Sequence, residues 1–548
     1  MKQVERARSR REVWALRSGV AAAALCAGMA LAPAAGVAWA ETADSTNAVS
    51  ASGVSAGPAA TGPAATGSAS RTGVERSTAS RRADQTETSN SVSSAAGDAK
   101  EPDRAGARQA AADRGNELRV TDTGESPPAR LSAEPTAPTR ETHVEPLTAR
   151  RADEPAATAV GVVDTRPAPP QPLSPIAELI DAPGRAVNTV LQALDLTAST
   201  SGPESPISFA PINSVVFGTF RELERAVGLW ETPPTPPALP PLTYTGPTTR
   251  PTPTVAQFLD ASSAAYVLGS TPGGMKPFTV NGFQMSATNI LTGMAADVWV
   301  TPQAQIIIAY QGTTGGTNLL FNPFIAISQI IADLQMILTP TTPPGFYSAL
   351  DFARQVQAQA AVLGYDPDDV FVTGHSLGGW QAQFVAQHTG LAGIGFESPG
   401  MNTTVPGNGA DAMFVNIATY GDTAPFMSTD LPGLEPIGSD YVPGGGNKPH
   451  YGPIVMIGDP AAMTPLYNAS ALWGTSLLGS LVYFVDFFGN FFQYHLPPVQ
   501  AYYLGIAVDP TVLPWLGSRR GPVLAGYGNL TIPQLLQAAS DDGILFRP

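Results

Sequence analysis

Charge is scarce in the C-terminal part of this 548-residue chain. From Thr252 onward, 18 acidic and 6 basic residues occupy 297 positions, about 8% where an ordinary soluble domain carries roughly 25%. The net charge of that stretch is −12, and that of the whole chain is −15. Nucleic-acid binding needs a basic footprint, so that class of partner is excluded. So little charge suits a protein that works at a lipid or polymer surface, and equally one with a large buried core. Cysteine is scarcer still: Cys26 is the only one, and it lies in a segment that reads as removable. Without it there is no disulfide framework, thiol nucleophile or thiolate metal site, and stability must come from core packing. Histidine is limited to His143, His375, His388, His450 and His495.

The first 40 residues have the layout of an export signal. Arg6, Arg8, Arg10, Arg11 and Arg17 precede an apolar run from Gly19 to Leu31, and Ala38-Trp39-Ala40 is a small-x-small cleavage site. The run is shorter than the roughly 20 apolar residues of a spanning helix. Ser9-Arg10-Arg11 with Val13-Trp14 resembles a twin-arginine signal. A secreted or cell-envelope location is therefore expected, with Glu41 as the first mature residue. Residues 41–170 are rich in Ala, Thr, Ser, Gly and Pro and hold few large apolar side chains. Such a stretch cannot offset its ordering entropy and is expected to be disordered, a spacer or stalk. Over 171–230 apolar residues return at helical spacing (Ile176, Leu179, Ile180, Val187, Val190, Leu191, Leu194, and again from Val215 to Trp230), which predicts short helices that pack on the main domain or on a partner. Residues 231–254 form a proline-rich linker. Residues 255–548 are left as the folded unit.

Within that unit, Asp369-Val370-Phe371-Val372-Thr373 reads as a buried strand. Gly374-His375-Ser376-Leu377-Gly378 follows at once, and Gly379 to Ala386 reads as a helix. Strand, G-x-S-x-G, helix is the context of a nucleophile elbow, in which a serine sits on a tight turn and glycines let the two backbones approach. Ser376 is thus the candidate nucleophile. A serine needs a base, and the base an orienting acid. Phe414 to Asp422 reads as a strand ending in a turn, which makes Asp422 the candidate acid over Asp430, Asp440, Asp459 and Asp486. His143 lies in the expected disordered stretch, His375 inside the elbow and His388 on the helix after it. His450 and His495 remain as candidate bases.

These residues resemble the class 3 (fungal-type) lipases and their bacterial relatives. Gly374-His375-Ser376-Leu377-Gly378-Gly379 is similar to the family's elbow. Ile307-Ile308-Ala309-Tyr310-Gln311-Gly312-Thr313-Thr314 resembles its strand ending in a Phe-Arg-Gly-Thr-like turn, with Tyr310-Gln311 standing where Phe-Arg is usual. Asp333-Leu334, Gly345-Phe346, Glu397-Ser398-Pro399-Gly400 and Gly421-Asp422-Thr423-Ala424-Pro425 match further segments, the last being the acid turn. Tyr494-His495-Leu496 followed by Tyr502-Tyr503 resembles the late segment that carries the base, whereas His450 followed by Tyr451 to Ile457 resembles a non-catalytic histidine.

The resemblance, which spans roughly residues 255–505, implies an α/β-hydrolase fold with a mostly parallel central sheet. It also implies a Ser376-Asp422-His495 triad, with His450 as the alternative base. The backbone N–H groups of Thr313 and Leu377 would form an oxyanion hole. No metal or other cofactor is implied, and the acidic run Asp366-Pro367-Asp368-Asp369 reads as a solvated loop. The expected activity is hydrolysis of carboxylic esters, with lipid acyl esters foremost and contact with a lipid surface or the cell envelope. A polyester or cell-wall ester hydrolase is the alternative substrate reading. A non-catalytic surface-binding protein on a hydrolase scaffold is the alternative of another class. Two apolar segments bear on substrate: Leu319 to Ile327, where the family carries a lid, and Leu472 to Tyr494, read as the wall or cap of an acyl pocket.

Overall fold

The five strands at the centre of the molecule read in sequence as nearly uninterrupted Val, Ile, Phe and Ala, the pattern of a parallel sheet covered on both faces. The computed structural model describes residue 167 and residues 170–547, except 234, 236, 315, 318–319, 321–322, 403–405 and 435–439. The expected leader, nearly all of the expected disordered stretch, Cys26, His143, Leu319, Phe321 and Asn322 lie outside the described residues.

Nine strands form one sheet: β1 (Lys276–Pro277), β2 (Ser286–Asn289), β3 (Met294–Val300), β4 (Ile306–Tyr310), β5 (Val370–His375), β6 (Ala392–Phe396), β7 (Phe414–Thr419), β8 (Ile454–Ile457) and β9 (Leu545–Phe546). Their spatial order is β9-β8-β7-β6-β5-β4-β3-β1, and β2 also pairs with β3. The run from β4 to β8 is parallel throughout. The flanking strands β1, β2, β3 and β9 are antiparallel to their neighbours. Ten helices among the described residues bear on the account: α1 (Pro175–Ala193), α2 (Ala210–Ala226), α3 (Val255–Ala264), α4 (Pro323–Leu338), α5 (Pro344–Val362), α6 (Leu377–Thr389), α7 (Thr464–Leu472), α8 (Leu477–Tyr494), α9 (Pro497–Leu504) and α10 (Ile532–Asp541).

Successive side chains on a strand point to opposite faces, and here both faces are covered. Ile307, Ala309 and Phe371 pack on one side with α3, α9 and α10. Ile306, Ile308, Val370 and Val372 pack on the other with α5 and α6. All of these strand residues are buried, and each large aliphatic or aromatic one stabilises the fold by about 1.5–3 kcal/mol. The result is the three-layer arrangement of an α/β protein.

The proline-rich stretch does not stand free as a linker. Leu242 N–H donates to Leu545 O at 2.9 Å, Pro241 bridges to Phe546, and Tyr244 N–H donates to Ser540 Oγ at 3.1 Å. It runs along β9 and covers the sheet edge, which would otherwise expose unpaired backbone groups.

The helices α1 and α2 form where the periodicity predicts, but the apolar stripe is not the face that docks. On α1, Ile176, Leu179, Ile180 and Val190 are exposed while Asn188 and Gln192 are buried. On α2, Val215, Val216 and Leu223 are exposed while Arg221 and Glu224 are buried with Phe217. Asn188, Arg221 and Glu224 are paired, as burial demands. Thr197 Oγ1 donates to Asn188 Oδ1 at 2.8 Å, Arg221 donates to Gln493 Oε1 and Ser518 Oγ at 2.7 and 2.8 Å, and Trp230 Nε1 donates to Glu224 Oε2 at 2.8 Å. Specific hydrogen bonds, together with the buried Phe217 and Leu229, fix this arm on α8 and the loop after Leu513. Among the described residues no helix is long and apolar enough to cross a membrane.

Candidate active site

The five parallel strands all end on one edge, the place where open α/β sheets hold ligands. Gly312 and Thr313 follow β4, Ser376 follows β5, Glu397 follows β6 and Asp422 lies three residues after β7.

Ser376 turns the chain from β5 into α6 with φ 59° and ψ −127°. A non-glycine residue at positive φ costs of order 1–3 kcal/mol and persists only where its surroundings hold it. Two close approaches do so. A Cβ on Gly378 would lie 2.1 Å from Tyr310 O, and one on Gly374 would lie 2.3 Å from the carbonyl carbon of Gly378. Ser376 N–H donates to Phe396 O at 2.9 Å, tying the elbow to β6. From Val370 to Ala386 every residue is buried except Ser376. The first N–H groups of α6, Leu377 among them, have no intrahelical acceptor and favour negative charge beside the serine.

His495 stands at the C-terminal end of α8, and its Nδ1 meets Asp422 Oδ2 at 2.7 Å. Both residues are buried. Asp422 Oδ1 accepts from Ala424 N–H at 3.0 Å. The carboxylate therefore fixes the imidazole with its proton on Nδ1, leaving Nε2 as a lone-pair base. Nε2 has no hydrogen-bond partner among the described residues. Phe491 stacks on the imidazole with ring centroids 4.1 Å apart. Burial pushes Asp422 up to about 7, opposed by hydrogen bonds from Glu397, Ala424 and Thr423. Burial pushes His495 down to about 3. Buried together, the two groups titrate as a pair.

His375 lies beneath this pair. Its Nε2 donates to His495 O at 2.6 Å, so its Nδ1 accepts from the Tyr266 hydroxyl at 3.0 Å. Burial first, and the neighbouring His495 second, hold it neutral. Gln500 Nε2 donates to the carbonyls of Tyr494 and His495 at 2.9 and 3.2 Å. The end of α8 is thus held from two sides.

Opposite the serine, Gly312 fills a gap that admits no side chain. A Cβ there would lie 2.1 Å from Tyr266 Oη, 2.4 Å from His375 O and 3.2 Å from Ser376 Cβ. Thr313 is tied to α4, with Oγ1 2.6 Å from Asp333 Oδ2, and Thr314 N–H donates to Gln329 Oε1 at 3.0 Å. Burial pushes Asp333 up to about 7, partly offset by the Thr313 bond. The outer side of α4 leaves Phe324, Ile327 and Ile331 exposed.

The alternative base also has an aspartate partner. His450 Nδ1 lies 2.9 Å from Asp430 Oδ1, but its Nε2 is taken by Ser398 O at 2.8 Å and the side chain is fully buried. His450 therefore ties the loop after β6 to Asp430 and has no nitrogen to offer Ser376. His388 Nδ1 is bonded to Phe384 O at 2.8 Å, within α6. Asp459 caps a short helix through Ala461 N–H at 2.9 Å, Asp440 is exposed, and Asp486 is buried beside Asn490 at 3.1 Å. Among the described residues no three His, Cys, Asp or Glu side chains are placed to share a metal ion.

Three residues at this site received no role from the sequence: Tyr266, Glu397 and Gln500. Only Glu397 left a local signal, an acid at the end of an otherwise apolar strand. Tyr266 reaches the site through tertiary packing, and Gln500 folds back on His495 from five residues further along.

No family model and no curated protein matches the chain. Among solved structures it is similar to the extracellular lipase LipA from Serratia marcescens, at 20% identity and a TM-score of 0.23. The likeness covers 31% of this chain and 31% of that one, so the chain spans about a third of that lipase's length.

Proposed function

We propose that residues 255–548 form an α/β-hydrolase domain of the lipase kind, exported from the cell, that cleaves carboxylic esters with Ser376 as nucleophile. Lipid acyl esters are the substrate class. The observation that carries this reading is a buried His495-Asp422 dyad with Nε2 left unpartnered, in a fold that also sets one partly exposed serine on a strained turn at the C-terminal edge of the sheet.

Ser376 Oγ attacks the ester carbonyl while His495 Nε2 takes its proton, then returns it to the departing alkoxide as the acyl-enzyme forms. Asp422 holds the tautomer and stabilises the imidazolium of the transition state. The N–H groups of Leu377 and Thr313 receive the oxyanion, and losing one such donor costs about 10²–10³ in rate. Water activated by the same histidine then releases the acid. His375 acts through the backbone: its bond to His495 O holds the base in register with the elbow. The exposed apolar residues Phe324, Ile327 and Ile331 of α4, and Leu478, Leu481 and Val485 of α8, support contact with an apolar substrate or lipid surface.

Hydrolysis of p-nitrophenyl esters of graded acyl length by the parent and by Ser376→Ala tests the reading. Activity that rises with chain length in the parent and vanishes in the variant is expected. Equal inactivity of both proteins on every ester contradicts it.

A further inference from the structure

Glu397 is fully buried at the end of β6, where the backbone bends to φ 49°. That conformation is unfavourable for a side chain of its size. Its carboxyl reaches across to the end of β7, where Thr419 N–H donates to Oε2 at 3.0 Å and Thr419 Oγ1 lies 2.5 Å from Oε1. Thr419 O in turn accepts from Asp422 N–H at 3.1 Å, which sets the Glu397 and Asp422 carboxyls against each other. Two carboxyls in contact in a buried site cannot both be ionised, so one holds the shared proton. Asp422 has two backbone N–H donors and the imidazole proton on its side, so the anion resides there and the proton on Glu397.

We propose that Glu397 is a positioning residue for the base, a neutral carboxylic acid that donates a hydrogen bond to Asp422 and keeps it anionic and in place beneath His495. The proposal rests on the triad reading given above. Burial, and after it the charge of Asp422, hold the Glu397 carboxyl well above the usual carboxylate range. The titratable groups that face the acid pair are His495 from the end of α8 and Tyr503 from α9.

Glu397→Gln keeps a neutral donor of the same shape, and Glu397→Ala removes it. Ester kcat/KM is to be followed for both and for the parent from about pH 5 to about pH 9. Glu397→Gln should stay within about threefold of the parent with its acid limb unmoved. Glu397→Ala should lose about 10- to 100-fold, the effect of one hydrogen bond to a charged group. Its acid limb should also move to higher pH, because the Glu397 bond is one of the forces that lower Asp422. Thr419→Val loosens the same carboxyl and should move the limb the same way, which keeps the test open if Glu397→Ala does not fold. A purely structural role would cost thermal stability and leave the limb unmoved. An unmoved limb in both Glu397→Ala and Thr419→Val, or a limb moved as far by Glu397→Gln, overturns the proposal. Titration of the His495 ring by NMR in the same variants reads the bond even if the chain hydrolyses no ester, so failure of the triad reading is separable. A titration left unmoved by removal of Glu397 overturns the proposal by itself.

Discussion

Gly312→Ala adds one methyl group to the tightest point of the site. The new Cβ would lie 2.1 Å from Tyr266 Oη, 2.4 Å from His375 O and 3.2 Å from Ser376 Cβ. Carbon makes ordinary contact at about 3.5–4.0 Å, so the first two distances each require a shift of more than about 1 Å. Tyr266 could swing, but it would lose its bonds to His375 Nδ1 and His375 O. His375 O is backbone at the elbow and cannot yield alone, so Ser376 must move with it. Overpacking of this kind costs about 1–3 kcal/mol of stability. A displacement of about 1 Å at reacting atoms costs about 10²-fold in rate. Removing the hydroxyl as well, in Gly312→Ala/Tyr266→Phe, relieves the first clash and not the second, so activity should not return. Thermal melting and kcat on a soluble ester measure both effects. A single variant with parent-like melting and kcat, or a double variant restored to parental rate, refutes the claim that this glycine sets the serine's position.

The remaining predictions concern the dyad and the buried acids. Activity requires His495 neutral beside anionic Asp422, and Asp422 takes up its proton at about 7; kcat/KM should therefore fall as pH drops below about 7, and a profile flat down to pH 5 would contradict the dyad. His495→Gln should abolish turnover with melting little changed, whereas His450→Gln should lower the melting temperature, by the loss of two buried hydrogen bonds at about 1–3 kcal/mol each, and leave kcat near the parent value wherever the protein stays folded. Asp333 is raised from 3.8 to about 7 in the fold, so its contribution to stability is present below 3.8 and lost as pH rises through about 7. Asp333→Asn should thus leave stability unchanged near pH 4 and raise it near pH 8.5, by at most on the order of 4 kcal/mol; equal effects at both pH values in denaturant unfolding would refute the assignment.

What the sequence made legible was local. The strand, elbow and helix around Ser376 are contiguous, and their steric logic is written in Gly374 and Gly378. The Asp422 turn follows its strand by three residues, and the proline-rich stretch marks its own extended backbone. The choice between His450 and His495 was not local. Each has an aspartate on Nδ1, and they differ in Nε2, which on His450 is occupied by a carbonyl brought from 52 residues away. Tyr266 comes from 109 residues before the elbow histidine it caps. Periodicity identified α1 and α2 as amphipathic but carried no statement of which face would dock. The docked face carries Arg221 and Glu224, whose partners Gln493, Ser518 and Asn490 lie far along the chain, and Asn188, which pairs with Thr197 nine residues on. The apolar stripe it leaves exposed is a property of the assembled arm.

The central claim is that Ser376 is a nucleophile activated by His495. A fluorophosphonate probe forms a covalent adduct only with such a serine, and mass spectrometry of the labelled chain locates it. The account predicts a single adduct on Ser376, absent in Ser376→Ala and strongly slowed in His495→Gln. No adduct on the folded parent chain, or labelling that persists unchanged in Ser376→Ala, would contradict it.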